Sequence, residues 1–243
     1  MSEPNATSTQ LFLGRQPILD RHQELVAYEL LFRSDSQNAA TVTDGSTATA
    51  TVIVNAFTEL SVGDALGSCR GFVNVDEEFL FSDLLELLPI ESVVLEILET
   101  VPPTEAVVAR CRELKEKGFI LALDDVIQVS PEYKELLELV EIIKVDLPPL
   151  STEELVLLAK KLRPLHKKLL AEKVDSRAQM ELCLELGFEL FQGYYFAKPT
   201  VIAGKKLNHS QLALMRLMNV IHSDADTAEL EAAFKPEPDL TVN

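Results

Sequence analysis

Seven short apolar runs in this chain each end in residues able to do chemistry: Glu29, Asn74, Glu96, Asp124 with Asp125, Lys144 with Asp146, Glu172 and Gln192. Carboxylates and amides are hard oxygen donors, the set that magnesium, manganese and calcium take as ligands. The four histidines, His22, His166, His209 and His222, stand nowhere at metal-ligand spacing, so oxygen must supply any metal site. Asp124 and Asp125 repel each other unless a cation or a proton lies between them. Taken singly, an acid after a strand is commonly a helix cap or a solvated loop residue. Gathered in one mouth, several carboxylates are costly to bury without a metal. Lys144 admits a second chemistry, that of a Schiff-base lysine, which neighbouring acids oppose by holding it protonated.

The elements that must position these residues follow from the apolar pattern. The stretch Phe119-Ile120-Leu121-Ala122-Leu123 runs from Gly118 into the two aspartates and reads as a strand buried on both faces, as in a parallel sheet. Strands are predicted over 71–75, 92–98, 141–145, 168–171 and 188–191, alternating with helices over 77–88, 104–117, 131–139, 151–162 and 176–186. Ahead of them, 11–13 and 17–19 flank Gly14, and the polar turn 20–23 leads into a strand over 25–32, an antiparallel hairpin. A helix capped by Ser46 is expected to run to about residue 61, and an amphipathic one over 207–221. About eight strands with right-handed crossovers predict an α/β fold, a TIM-like (β/α)8 barrel with one antiparallel strand from the N-terminal hairpin. An open doubly wound sheet is the alternative, but the nine glycines form no G-x-G-x-x-G or Walker loop. The domain reading is a disordered N-terminus at 1–10, a barrel over 11–204, and a C-terminal helix with an acidic linker over 205–243 leading to a further domain.

With 243 residues, 47% of them hydrophobic, the chain can bury one large core. Its formal charge of −17 repels bulk nucleic acid and anionic membranes, so an anionic substrate would need local cations. Cys69, Cys111 and Cys183 form no C-x-x-C, which suits a reducing cytoplasm. Residues 1–11 hold no apolar core of a signal peptide, and no apolar run approaches the roughly 18 residues of a membrane span.

Seven motifs in series carry a resemblance. They are Tyr28-Glu29-Leu30-Leu31-Phe32-Arg33, Val73-Asn74-Val75, Leu95-Glu96-Ile97-Leu98-Glu99, Ala122-Leu123-Asp124-Asp125, Ile143-Lys144-Val145-Asp146, Ala171-Glu172-Lys173-Val174-Asp175, and the run from Gln192-Gly193-Tyr194 to Pro199. In order and spacing, over residues 12–199, the chain resembles the EAL domain family of bacterial cyclic di-GMP phosphodiesterases. The resemblance implies hydrolysis of cyclic di-GMP to pGpG with two ions of Mg2+ or Mn2+. It assigns Glu29, Asn74, Glu96 and Asp124 to one metal and Asp124 with Asp125 to the second. Glu29, Lys144 and Glu172 become catalytic, Arg33 and Gln192 bind substrate, and Glu99 and Asp175 support a loop.

Two departures stand out. Where the family has a Phe-Gly-x-Gly loop after the paired aspartates, this chain has Val126-Ile127-Gln128-Val129, and E-G-V-E reads Glu172-Lys173-Val174-Asp175. An alternative therefore stays open: an impaired EAL domain acting as a cyclic di-GMP receptor or protein scaffold. The altered loop and the acidic tail resemble chains in which an EAL domain precedes an HDOD domain. A homodimer is the family expectation, with Val126-Ile127 as its candidate contact.

Overall fold

The structure is a computed structural model that describes residues 11–33, 53, 57, 66–197 and 200–204, by backbone alone at 11–13, 32–33 and 200–204. The segments 1–10 and 205–243, and the helices expected at 46–61 and 207–221, lie outside the described residues apart from Ile53 and Phe57.

Strands β1 (Leu11–Asp20) and β2 (Leu25–Arg33) form the expected hairpin, with Gln16 opposite Glu29 and Ile18 opposite Ala27. Asp20 makes the turn: its Oδ1 accepts from the backbone N–H of His22 at 2.8 Å and of Glu24 at 2.9 Å. Then come β3 (Arg70–Val75), β4 (Val93–Ile97), β5 (Ile120–Leu123), β6 (Ile142–Asp146), β7 (Lys168–Glu172) and β8 (Leu190–Phe191). From β2 to β8 the strands pair in chain order, all parallel, and β1 closes the ring by pairing antiparallel with both β2 and β8. The fold is thus an α/β TIM-like barrel with one antiparallel strand. A further strand, β9 (Thr200–Gly204), adds antiparallel to residues 11–15 of β1, where the barrel wall extends past β8. The β-branched run Thr200-Val201-Ile202 was its only local sign.

The helices are α1 (Glu77–Leu80), α2 (Glu105–Glu116), α3 (Lys134–Leu139), α4 (Thr152–Leu162) and α5 (Arg177–Leu186). Capping explains most boundaries. Thr104 Oγ1 accepts from Val107 N–H, Ser151 and Glu154 form a reciprocal capping box, and Ser176 caps α5. Gly118, at φ +99°, ends α2 in a Schellman motif, with Gly118 N–H on Lys115 O and Phe119 N–H on Leu114 O. The helix expected over 77–88 is two pieces, because Ser82 Oγ accepts from Leu84 N–H and opens a 3-10 turn, Asp83–Leu87, in place of continued α-helix. Over 131–139, Pro131 opens a 3-10 turn before α3 begins.

Strand alternation sorts the core into two layers. Outward-facing Val73, Leu95, Leu121, Ile143 and Leu169 pack with helix residues such as Val107, Leu136, Leu158 and Cys183. Inward-facing Ile18, Ala27, Phe72, Val94, Ala122, Ile142 and Leu170, with Leu190, plug the barrel. Cys111 and Cys183 belong to the outer layer, and burial pushes their thiols up to about 11 and about 12. Since the thiolate is the reactive form, a disulfide reagent is expected to label only the half-buried Cys69 in the native protein. Three fast thiols in that titration would mean that α2 and α5 are not packed as described.

Candidate active site and metal centre

Each plug residue on strands β2 to β8 stands two positions before a polar one. Ala27 precedes Glu29, Phe72 precedes Asn74, Val94 precedes Glu96, Ala122 precedes Asp124, Ile142 precedes Lys144, Leu170 precedes Glu172 and Leu190 precedes Gln192. With a side-chain period of two, the polar residues form the next inward layer, at the carboxyl ends of the parallel strands. The antiparallel β1 contributes the eighth place: Gln16, two before Ile18, lies across from Glu29. Sequence reading by strand ends missed it, because on a reversed strand this end of the barrel is reached moving backwards along the chain.

Lys144 is fully buried and its ammonium contacts three carboxylates: Glu96 Oε1, Asp124 Oδ1 at 2.9 Å and Glu172 Oε1 at 2.9 Å. Burial by itself would lower the lysine pKa, but Glu96, Glu29, Glu172 and Asp124 together hold it well above its usual range. Such a lysine is a fixed cation, not a Schiff-base nucleophile. Four carboxylates share that one buried charge. Burial raises Glu172 to about 8 and Glu96 well above the normal carboxylate range. Burial also opposes ionisation of Asp124, yet the charge of Lys144 and hydrogen bonding keep its pKa below the usual value.

Gln192 Nε2 donates to Glu29 Oε2, tying β8 to β2. Five buried oxygens, Asn74 Oδ1, Glu96 Oε2, Asp146 Oδ1, Glu172 Oε2 and Gln192 Oε1, have no hydrogen-bond partner among the described residues, and of these Asp146 Oδ1 is met by the ammonium of Lys173 in an ion pair. Buried oxygens without donors are unfavourable unless something positive meets them, and these are hard donors. The residues therefore fit an oxygen-ligated divalent cation.

Beside this ring, Glu99, Asp124 and Asp125 bring carboxylate oxygens within 4.8 Å of one another, so Glu99 stands with the acid pair. Burial, then the charge of Asp124, raises the Asp125 pKa. A cavity of about 240 Å³ opens here, between the acid pair, the segment 126–130, Tyr133 and Leu137. Val126 is 7% exposed and its N–H donates to Lys144 O, so it belongs to the core and cannot be half of a dimer contact; Ile127 alone, at 44%, faces outward. Arg33 is the last residue of β2, and its side chain lies outside the described residues. Asp175 stands apart from the ring, exposed before α5, with its N–H on Gln179 Oε1.

A closed barrel that gathers acids, amides and one lysine at the carboxyl end of its strands has the layout in which barrel enzymes place their active sites. The EAL domain family model matches residues 5–199, and the chain belongs to that family. It is 34% identical over 219 residues to the uncharacterized protein YuxH of Bacillus subtilis, covering 88% of this chain and 54% of YuxH. It is 31% identical over 224 residues to the cyclic di-GMP phosphodiesterase CdgJ of Vibrio cholerae, covering 90% of this chain and 52% of CdgJ. The chain thus spans about half the length of these relatives. Among solved structures, the EAL-domain protein YkuI of Bacillus subtilis, in complex with substrate c-di-GMP and calcium, superposes with a TM-score of 0.63 at 20% identity, covering 87% of this chain and 60% of YkuI. No helix among the described residues is long and apolar enough to cross a membrane.

Proposed function

We propose that this chain is a metal-dependent phosphodiesterase that hydrolyses cyclic di-GMP to pGpG in bacterial second-messenger signalling. The observation that carries the reading is the buried ring around Lys144, where three carboxylates contact one ammonium and buried oxygens lack partners among the described residues. The name of CdgJ and the substrate in the YkuI complex support the same chemistry.

In this reading Glu29, Asn74, Glu96 and Asp124 would hold one ion and Asp124 with Asp125 a second, Mg2+ or Mn2+. Such ions supply Lewis acidity toward the phosphodiester and a water acidic enough to attack at neutral pH. The remaining work falls to the chain. Lys144 holds Glu96, Asp124 and Glu172 in one orientation and faces the charge that develops on phosphate. Glu172, with its pKa raised to about 8, takes or returns a proton near neutrality. Gln192 fixes Glu29, Arg33 pairs with a phosphate of the dinucleotide, and Glu99 and Asp175 support the loops around them. In this reading the protein works in the cytoplasm as a homodimer, with an HDOD domain as a further partner.

The test is chromatography of cyclic di-GMP incubated with the purified chain in Mg2+ or Mn2+. Metal-dependent pGpG formation is expected, and Glu29→Ala should reduce it by at least about 100-fold, since even outer partners of metal ligands cost 10–100-fold. One observation favours a second reading, that of a nucleotide receptor without turnover: Asp125 is engaged by the ammonium of Lys173 at 3.3 Å. Tight binding of the nucleotide without product would decide for it.

A further inference from the structure

We infer that Lys173 is a tethered cation that closes the Asp125 and Asp146 side of the ring and competes there with a divalent ion. The inference rests on the proposed metal centre and specifies how one side of it is regulated by the chain itself.

Lys173 is the first residue beyond β7, and its Nζ lies 2.9 Å from Asp146 Oδ1 and 3.3 Å from Asp125 Oδ1. By strand alternation it should point away from the barrel axis, because Glu172 before it points in. Its φ of +57° bends the chain so that the ammonium returns over the mouth. Asp125, its partner, is also at positive φ, +43°. A side-chain-bearing residue in that region is strained and persists where its surroundings hold it. Four non-glycine residues have positive φ among the described residues. Gln23 and His166 sit in turns between elements, whereas Asp125 and Lys173 face each other across an ion pair at the candidate metal centre.

Bridging two carboxylates is what a divalent ion does, and Lys173 does it with a single charge. It differs from Lys144 in one respect that matters: its side chain is 53% exposed, so the ammonium can leave into water when an ion arrives. Lys144 at 1% has no such exit. Lys173 therefore weakens ion binding on the Asp125 side and leaves the Glu29, Asn74 and Glu96 side untouched.

The experiment is titration of Mn2+ into the whole chain, with free Mn2+ read by electron paramagnetic resonance. Wild type is compared with Lys173→Ala, with Lys173→Gly, which also relieves the positive φ, and with Lys168→Ala, which removes an exposed charge from the opposite end of β7. Loss of two partly exposed ion pairs is expected to tighten the weaker Mn2+ site about tenfold in both Lys173 variants and to leave Lys168→Ala like wild type. A Lys173→Ala isotherm equal to wild type, or the same gain in Lys168→Ala, overturns the inference while the metal centre stands. Absence of Mn2+ binding in every protein, together with absence of metal-dependent hydrolysis, overturns the metal centre and the inference with it.

Discussion

Replacing Lys144 with methionine is expected to destabilise the metal-free protein by about 3–5 kcal/mol near neutral pH, the range measured when one partner of a buried ion pair is removed. Methionine keeps the length and packing of the side chain, so the loss reports charge. Glu96, Asp124 and Glu172 would then face one another with no cation between them. Their remaining route is to stay protonated, which fixes the sign of the pH dependence. Glu172, ordinarily at 4.5, is already raised to about 8 by burial, and removing the ammonium pushes it further up. A group with a raised folded pKa binds more protons folded than unfolded, so stability is present below about 4.5 and is lost as pH rises toward the folded value. Asp124 is the group that differs between the two proteins: against burial, Lys144 holds it below its usual range in wild type. Without that charge burial leaves it protonated on folding, so the gap between wild type and variant should widen from pH 5.5 to pH 8. Urea unfolding at the two pH values measures it, and equal gaps would mean that Lys144 does not neutralise the ring. Saturating Mn2+ should narrow the gap at pH 8, because it stabilises the folded state of both proteins but also supplies the variant with positive charge that wild type already has in Lys144. Hydrolysis by this variant should fall by at least about 100-fold, by the same reasoning that applies to the metal ligands.

Gly193→Ala is the second large effect. At φ +156°, a Cβ on residue 193 would stand 2.7 Å from the carbonyl carbon of Val174 and closer still to its N and O. Backbone cannot yield as a flexible side chain does, and Val174 is held on both sides. Its N–H donates to Gln192 O at 3.0 Å, and its carbonyl accepts from Tyr195 N–H at 3.1 Å. Overpacking costs about 1–3 kcal/mol and each disrupted hydrogen bond about 1 more, so a loss of about 3–5 kcal/mol is expected. The same shift would pull Gln192 from Glu29 and lower activity in the molecules that remain folded. Gly187→Ala is the control: φ is +94° there, but a Cβ meets nothing within 4 Å, so only the conformational term of about 1 kcal/mol applies. Equal stabilities for the two variants would show that the approach of residues 174 and 193 is looser than described.

Much of this molecule was legible in one dimension because its signals are local. The apolar runs before Asn74, Glu96, Asp124, Lys144 and Glu172 announced buried parallel strands, and the residue type at each end announced the ring. Thr104, Ser151, Ser176 and Gly118 marked helix ends through contacts within five residues. The break at Ser82 shows the limit of such reading, since the amphipathic pattern of 77–88 outlasted the helix that a single hydroxyl could interrupt.

What the tertiary structure alone decided lies farther apart along the chain. The apolar pattern placed Lys144 at a strand end but left open whether it was a nucleophile or a buried counter-ion. Its contacts with Glu96, 48 residues away, and Asp124, 20 residues away, settle that. Gln192 and Glu29 meet across 163 residues because the barrel closes. Gln16 joins the ring only through antiparallel register, and Lys173 reaches Asp125 only through a positive φ. Periodicity and capping act within a turn or a strand and are written in neighbouring residues. Charge neutralisation in a buried ring depends on which strand ends are brought within about 3 Å, and only closure of the sheet determines that.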